Sequence, residues 1–182
     1  MRSPLVVLAL LLAAALVVAP GCREAPEPDE TPAVAAGPAS IPFRIDGTLS
    51  FLRDGDTLRT IQIEVADTDS SRARGLMERE TIPPDTGMLF VFPAAGPQAF
   101  YMANTPRSLD IQFYGADSTL LNVAENTRPY TLDNVFSDGD AQFVVEVPAG
   151  YTRQVGLVPG DRITWSLDRP VGDSSGGAPG NP

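Results

Sequence analysis

Chemistry in this chain falls to carboxylates, arginines and hydroxyls. Histidine and lysine are absent, all 13 basic residues are arginine, and the one cysteine is Cys22. Without imidazole there is no ordinary acid–base relay and no Ser-His-Asp arrangement. Zinc lacks its usual ligands. The serines stand in no Gly-x-Ser-x-Gly elbow and have no lysine to activate them. No glycine loop suited to phosphate is present, and Asp138-Gly139-Asp140 is too short for a calcium loop. What remains is a set of acids that the pattern encloses, Asp67, Asp110, Glu125 and Glu146, and the arginines that could meet them. Glycoside cleavage would need two such acids facing each other across a cleft. No catalytic residue, cofactor or metal is therefore assigned.

Arg74 and Arg79 flank Gly75-Leu76-Met77. They read either as a clamp for a carboxylate or phosphate or as ties from a helix to Asp67 or Asp110, and the tie is the reading preferred. Asp110 interrupts an apolar run between Leu109 and Ile111, so alternation turns it away from their face. A buried acid is costly without a partner, and the partners expected are Arg74, Arg79 or the Asn104-Thr105 turn. Asn104 favours that turn by bonding its own backbone, or lines a pocket. Tyr101 at a rim could stack on a ring. The ligand-binding set is thus Arg74, Arg79, Tyr101, Asn104 and Asp110. Met77, Met88 and Met102 could gather round a soft metal, but methionine is also ordinary core filler, the reading preferred here. Phe90, Phe92, Phe100, Phe113 and Trp165 read as core aromatics.

The elements that must position these residues are mostly strands. Leu49–Leu52 is followed by an Asp54-Gly55-Asp56 turn and by the alternating run Leu58–Val65. Met88–Phe92 reads as a buried strand ended by Pro93. Leu109–Tyr114, Thr119–Val123, Gln142–Val147 and Ile163–Leu167 follow, separated by Gly, Pro and Asp turns. One short helix is expected after Thr68 or Asp69, with Ala73, Leu76 and Met77 on its apolar side. The fold class expected is all-β, a compact sandwich or barrel-like domain with one short helix.

The ends carry different information. Arg2, an apolar run from Leu5 to Pro20 and the small residues before Cys22 have the layout of a secretory signal of the lipoprotein class. Residues 1–21 are expected to be removed, leaving Cys22 lipidated and the protein exported and anchored in the bilayer on the periplasmic or extracytoplasmic face. Residues 22–40, rich in Pro, Ala and acids, read as a tether. Residues 41–170 read as one domain and 171–182 as a flexible tail. A net charge of −10 repels phosphates and argues against nucleic acid as a partner.

Several blocks add a resemblance. They are EVADTDSSRARGLMERETIPPDTGMLFVF at 64–92, FYMANTPRSLDIQFY at 100–114, VVEVPAG at 144–150 and GLVPGD at 156–161. In this order they resemble the bacterial and archaeal family known as domain of unknown function 192, over about residues 57–168. The resemblance implies a compact β-sandwich or barrel-like domain, typically exported and often a lipoprotein, with no activity to carry over. Two departures from its pattern show: Tyr101 and Ala103 stand where the family usually has Trp and Lys, and Ser108 where it often has Pro.

Two functions compete on these residues. One is a non-enzymatic envelope module that binds a small ligand or an envelope protein around Met77–Arg79, Tyr101–Thr105 and Asp110. The other is a hydrolase or lyase acting on envelope polysaccharide, with Asp110 as its key acid and Arg74 or Arg79 in support. A concave pocket holding one acid of raised pKa near an arginine favours the enzyme. A flat apolar patch favours protein binding. The missing activating residues weight the reading towards binding.

Overall fold

The computed structural model describes residues 41–168. Cys22, the signal, the tether and the tail all lie outside those residues. Seven strands form one sheet: β1 (Gly47–Arg53), β2 (Asp56–Ala66), β3 (Thr86–Phe100), β4 (Leu109–Tyr114), β5 (Leu120–Ala124), β6 (Val135–Pro148) and β7 (Arg162–Leu167). Their spatial order is β5-β4-β6-β3-β2-β1-β7. The two outer strands of that order also meet. Thr119 bridges Arg162, Leu120 N–H donates to Asp161 O at 2.7 Å, and Ile163 N–H donates to Ser118 O at 3.0 Å. The sheet therefore curls round on itself, as the barrel-like expectation has it.

Strand alternation then divides the apolar residues into two layers. All seven strands send residues inward, among them Phe51, Ile63, Leu89, Tyr114, Leu120, Val145 and Ile163. A second cluster covers the outer face of β3, β4 and β6, with Met88, Phe90, Ile111, Phe113 and Val144 under Leu76 and Met102. Every residue of β4 is buried as a result. Its clean alternation of Leu109, Ile111 and Phe113 with Asp110, Gln112 and Tyr114 distinguishes two interiors, where alternation more often separates core from solvent.

The outer layer is built by the connections. β2 and β3 are parallel, so residues 67–85 must cross over between them. This crossover holds α1 (Asp69–Arg74), whose N-cap is Thr68. The Thr68 side chain accepts from Ser71 N–H, and Ser71 Oγ accepts from Thr68 N–H, a reciprocal cap. The helix stops at Gly75, with φ 51° and ψ −137°, a backbone that a side chain disfavours. It is shorter than the sequence pattern predicts, it buries none of its own residues, and the buried Leu76 belongs to the turn after it.

Two further expectations are corrected. Pro93 does not end the third strand. β3 runs on to Phe100 after its register with β6 shifts between Val91 and Gly96, since a bulge accommodates residues that cannot pair. A second helix, α2 (Tyr151–Val155), follows the Pro148-Ala149-Gly150 turn. It has no side-chain cap of its own; its first amides are met by Asp110, 40 or so positions earlier in the chain, which no local capping rule could reveal.

Candidate functional site

The five residues singled out from sequence do not form one site. Asp110 is fully buried and points inward. Its Oδ1 accepts from Asn126 N–H at 2.9 Å and Gly150 N–H at 3.1 Å, and its Oδ2 from Thr152 N–H at 3.0 Å. A ladder of inward residues continues this arrangement. Gln112 Nε2 donates to Thr152 Oγ1 at 2.9 Å, and Tyr114 O–H donates to Gln112 Oε1 at 2.8 Å. Burial pushes the Tyr114 hydroxyl well above its ordinary value. These contacts pin α2 to β4 and leave Asp110 little room to meet a substrate. The arginine and turn partners expected for it are replaced by backbone amides.

Arg79 is a tie, though to a different acid from those expected. It is buried, donates to Glu64 Oε1 at 2.8 Å and to Pro42 O at 3.3 Å, and lies 5.5 Å from the centre of the Phe43 ring. Arg44 N–H donates to the other Glu64 oxygen. Arg79 and Glu64 thus fasten residues 42–44 and the end of the crossover onto β2. Asn104 is exposed with φ 53°, in a turn closed by Thr105 N–H to Met102 O, and asparagine suits that left-handed position. Its carbonyl accepts from Glu78 N–H at 2.7 Å. Met88 and Met102 are buried in the outer cluster, where the Met102 sulfur accepts from Thr127 Oγ1. No group of three or more His, Cys, Asp or Glu suited to a metal occurs among the described residues.

Arg74 and Tyr101 do come together, at the mouth of a cleft in the outer layer. The cleft encloses about 250 Å³ and runs between the crossover and the far part of β3. Phe90, Phe92 and Phe100 wall it. Phe100 meets Phe90 edge-on at 5.0 Å between centres and Phe92 at 6.4 Å. Arg72 covers Phe92 at 5.4 Å and is held there by the carbonyls of Asp67 and Val91 and by Asp69. Arg74 is exposed.

Glu146, among the residues lining this cleft, was missed as a site residue. It is 5% exposed, and its Oε2 has no hydrogen-bond partner among the described residues. Burial raises its pKa from 4.5 to about 8, opposed by the Leu76 backbone N–H, so at neutral pH the carboxyl carries a proton. Gly75 leaves space beside this buried group. A Cβ on Gly75 would lie 3.2 Å from Phe90 Cζ and 3.7 Å from Glu146 Oε2, filling the space above the acid. The sequence did hold a signal. Glu146, between Val145 and Val147, already reads as one of the enclosed acids, and what the sequence does not show is the crossover folded over its face and the cleft left there.

The matches to known proteins fit this architecture. The family model DUF192, described as an uncharacterized ACR, matches residues 50–165. The chain belongs to this family. No curated protein matches it. A solved structure from Sinorhizobium meliloti 1021, described as a candidate transcription regulator, is 30% identical with a TM-score of 0.64, covering 70% of this chain and 98% of that one. A protein of unknown function from Novosphingobium aromaticivorans DSM 12444 is also 30% identical, with a TM-score of 0.63 and coverage of 72% and 94%. The DUF192 resemblance and the β-rich fold expected from sequence are both borne out.

Proposed function

We propose that this protein is a lipid-anchored envelope module that binds a small ligand, without turning it over, in the cleft above Glu146. The observation that carries this reading is a buried carboxyl oxygen with no partner, facing an aromatic-walled cleft that Gly75 leaves open. A buried polar group without a partner costs stability, and a ligand that supplies the partner would recover that cost. The export signal and Cys22 supply the location.

A raised acid near arginine in a concave pocket is also what an enzyme would use. The alternative hydrolase or lyase nevertheless loses support. Asp110, its key acid, is occupied by three backbone amides on the other face of the sheet. Glu146 is the one carboxylate among the described residues lining the cleft, where glycoside cleavage calls for two. The regulator description of the S. meliloti protein is not extended to this chain, whose charge of −10 opposes DNA phosphates.

The test is mass spectrometry of small molecules released from the full chain purified from native membranes, beside Glu146→Leu. A compound enriched with the wild type and absent from the variant supports the reading. Equal release from both overturns it, and conversion of the compound by the pure protein moves the assignment to catalysis. Loss of lipid labelling in Cys22→Ser checks the anchor.

A further inference from the structure

The cleft is chemically asymmetric, and the asymmetry selects a ligand class. At its mouth Arg74 is exposed and makes no ion pair among the described residues. Its neighbour Arg72 is engaged by Asp69, two carbonyls and the Phe92 ring. At its floor Glu146 presents an oxygen without a partner. Between them lie aromatic and aliphatic walls, the Met77 side chain, the amide of Gln98 and Thr105, whose hydroxyl donates to Ala103 O. The volume of about 250 Å³ falls just below the roughly 300–1,000 Å³ of drug-sized sites and suits a guest of one ring with its substituents.

We infer that the ligand is a one-ring organic anion whose charged group meets Arg74, whose ring lies against Phe92 and Phe100, and whose far end offers an uncharged oxygen to the Glu146 carboxyl. This deepens the binding reading above and rests on it. A cation is the guest one would otherwise draw in an aromatic pocket with an acid. Here two guanidinium groups, Arg72 and Arg74, face the same space, and Tyr101 and Glu146 are the remaining titratable groups among the described residues lining it. With Glu146 protonated, the cleft carries net positive charge and a donor at its floor. An ether, carbonyl or hydroxyl oxygen satisfies that donor, and an ammonium group does not.

The probes are 4-methoxybenzoate and its opposite-charge counterpart 4-methoxybenzylamine, titrated calorimetrically into the full chain. The anion is expected to bind at about pH 6.5 at least roughly tenfold more tightly than the amine, a difference of about 1.4 kcal/mol. Arg74→Ala should lose roughly tenfold in affinity for the anion with an unchanged melting midpoint. Wild-type affinity should fall as Glu146 ionises near pH 8. In Glu146→Gln, which keeps an N–H donor, that fall should vanish.

Tighter binding of the amine overturns the ligand class and leaves the cleft reading standing, as does an Arg74→Ala variant that binds the anion like wild type. Absence of anion binding at about 5 mM, a concentration that registers even millimolar affinity, overturns the class as well. The membrane-release experiment then decides the underlying reading separately: a Glu146-dependent compound preserves the cleft as a site, and none removes both.

Discussion

Asp110 and Glu146 are two buried acids on adjacent strands, one residue apart in register. β4 and β6 pair antiparallel with Asp110 opposite Val147 and Ile111 opposite Glu146, so the two carboxyls face opposite sides of the sheet. Asp110 accepts three backbone N–H groups and fixes a helix. Glu146 leaves one oxygen unmatched and borders a cleft. Burial alone therefore does not mark a functional acid; what separates the two is whether the fold supplies partners. A saturated carboxylate adds stability and has little capacity left for anything else. An unsaturated one subtracts stability and keeps that capacity.

The largest effect should come from breaking the saturated acid. Asp110→Ala removes the charged acceptor of the Asn126, Gly150 and Thr152 amides, the last of them buried, and about 1.5–3 kcal/mol for each hydrogen bond to a charged group gives an expected loss of roughly 4 kcal/mol or more. Urea unfolding measures it. A loss below about 1 kcal/mol would mean that water replaces the carboxylate and that the staple is dispensable.

The second effect separates the acids by pH. Glu146 has its folded pKa above its unfolded one, so the folded state holds the extra proton. Its favourable contribution is complete below about pH 4.5 and is lost as pH rises towards 8. At about 1.36 kcal/mol per unit the change is on the order of 5 kcal/mol, read as the difference between wild type and Glu146→Gln at each pH. A flat difference would show that the carboxyl is hydrated and ordinary. Asp161 runs the other way. The hydrogen bond from Arg53 holds its pKa down, so its contribution is present at neutral pH and disappears in acid.

Next in size, Glu146→Leu at about pH 7 should raise stability by roughly 1–3 kcal/mol, because a buried group without a full set of partners is exchanged for one that needs none. A destabilised variant would place Glu146 with Asp110 as a structural acid. Smallest of all, Arg74→Ala should move stability by less than about 0.5 kcal/mol, as expected for an exposed residue with no structural feature behind it. A larger loss would make Arg74 part of the scaffold and leave the mouth of the cleft without a free cation.

Much of the fold was legible because strand alternation and turn residues act locally. The run Leu109–Tyr114 and the Asp54-Gly55 turn fall where the pattern puts them. α1 was legible through Thr68 and Ser71, although Gly75 ends it sooner than the apolar spacing implies. α2 was not, because its cap comes from a distant strand. The candidate site was legible only in part, at Arg74 and Tyr101. Phe90, Phe92 and Phe100 do pack as core aromatics, yet they also line the cleft, since the outer layer over them is incomplete. Glu146 stood out only as an enclosed acid: its meaning depends on Gly75, some 70 positions earlier, and on a crossover whose path no periodicity encodes.

The closure of the sheet has a consequence in time. β1, the first strand, borders β7, the last, with Gly47 opposite Leu167, and β7 also touches the chain just before β5 through Arg162 and Thr119. A chain emerging in order from its N-terminus holds two unpaired strand edges until its final strand arrives. Such edges recruit other strands, and pairings this distant in sequence form slowly, on the millisecond-to-second scale common to β domains. The interval between synthesis and the arrival of β7 is when this protein is most exposed to aggregation, and a chain cut before Arg162 would never leave it.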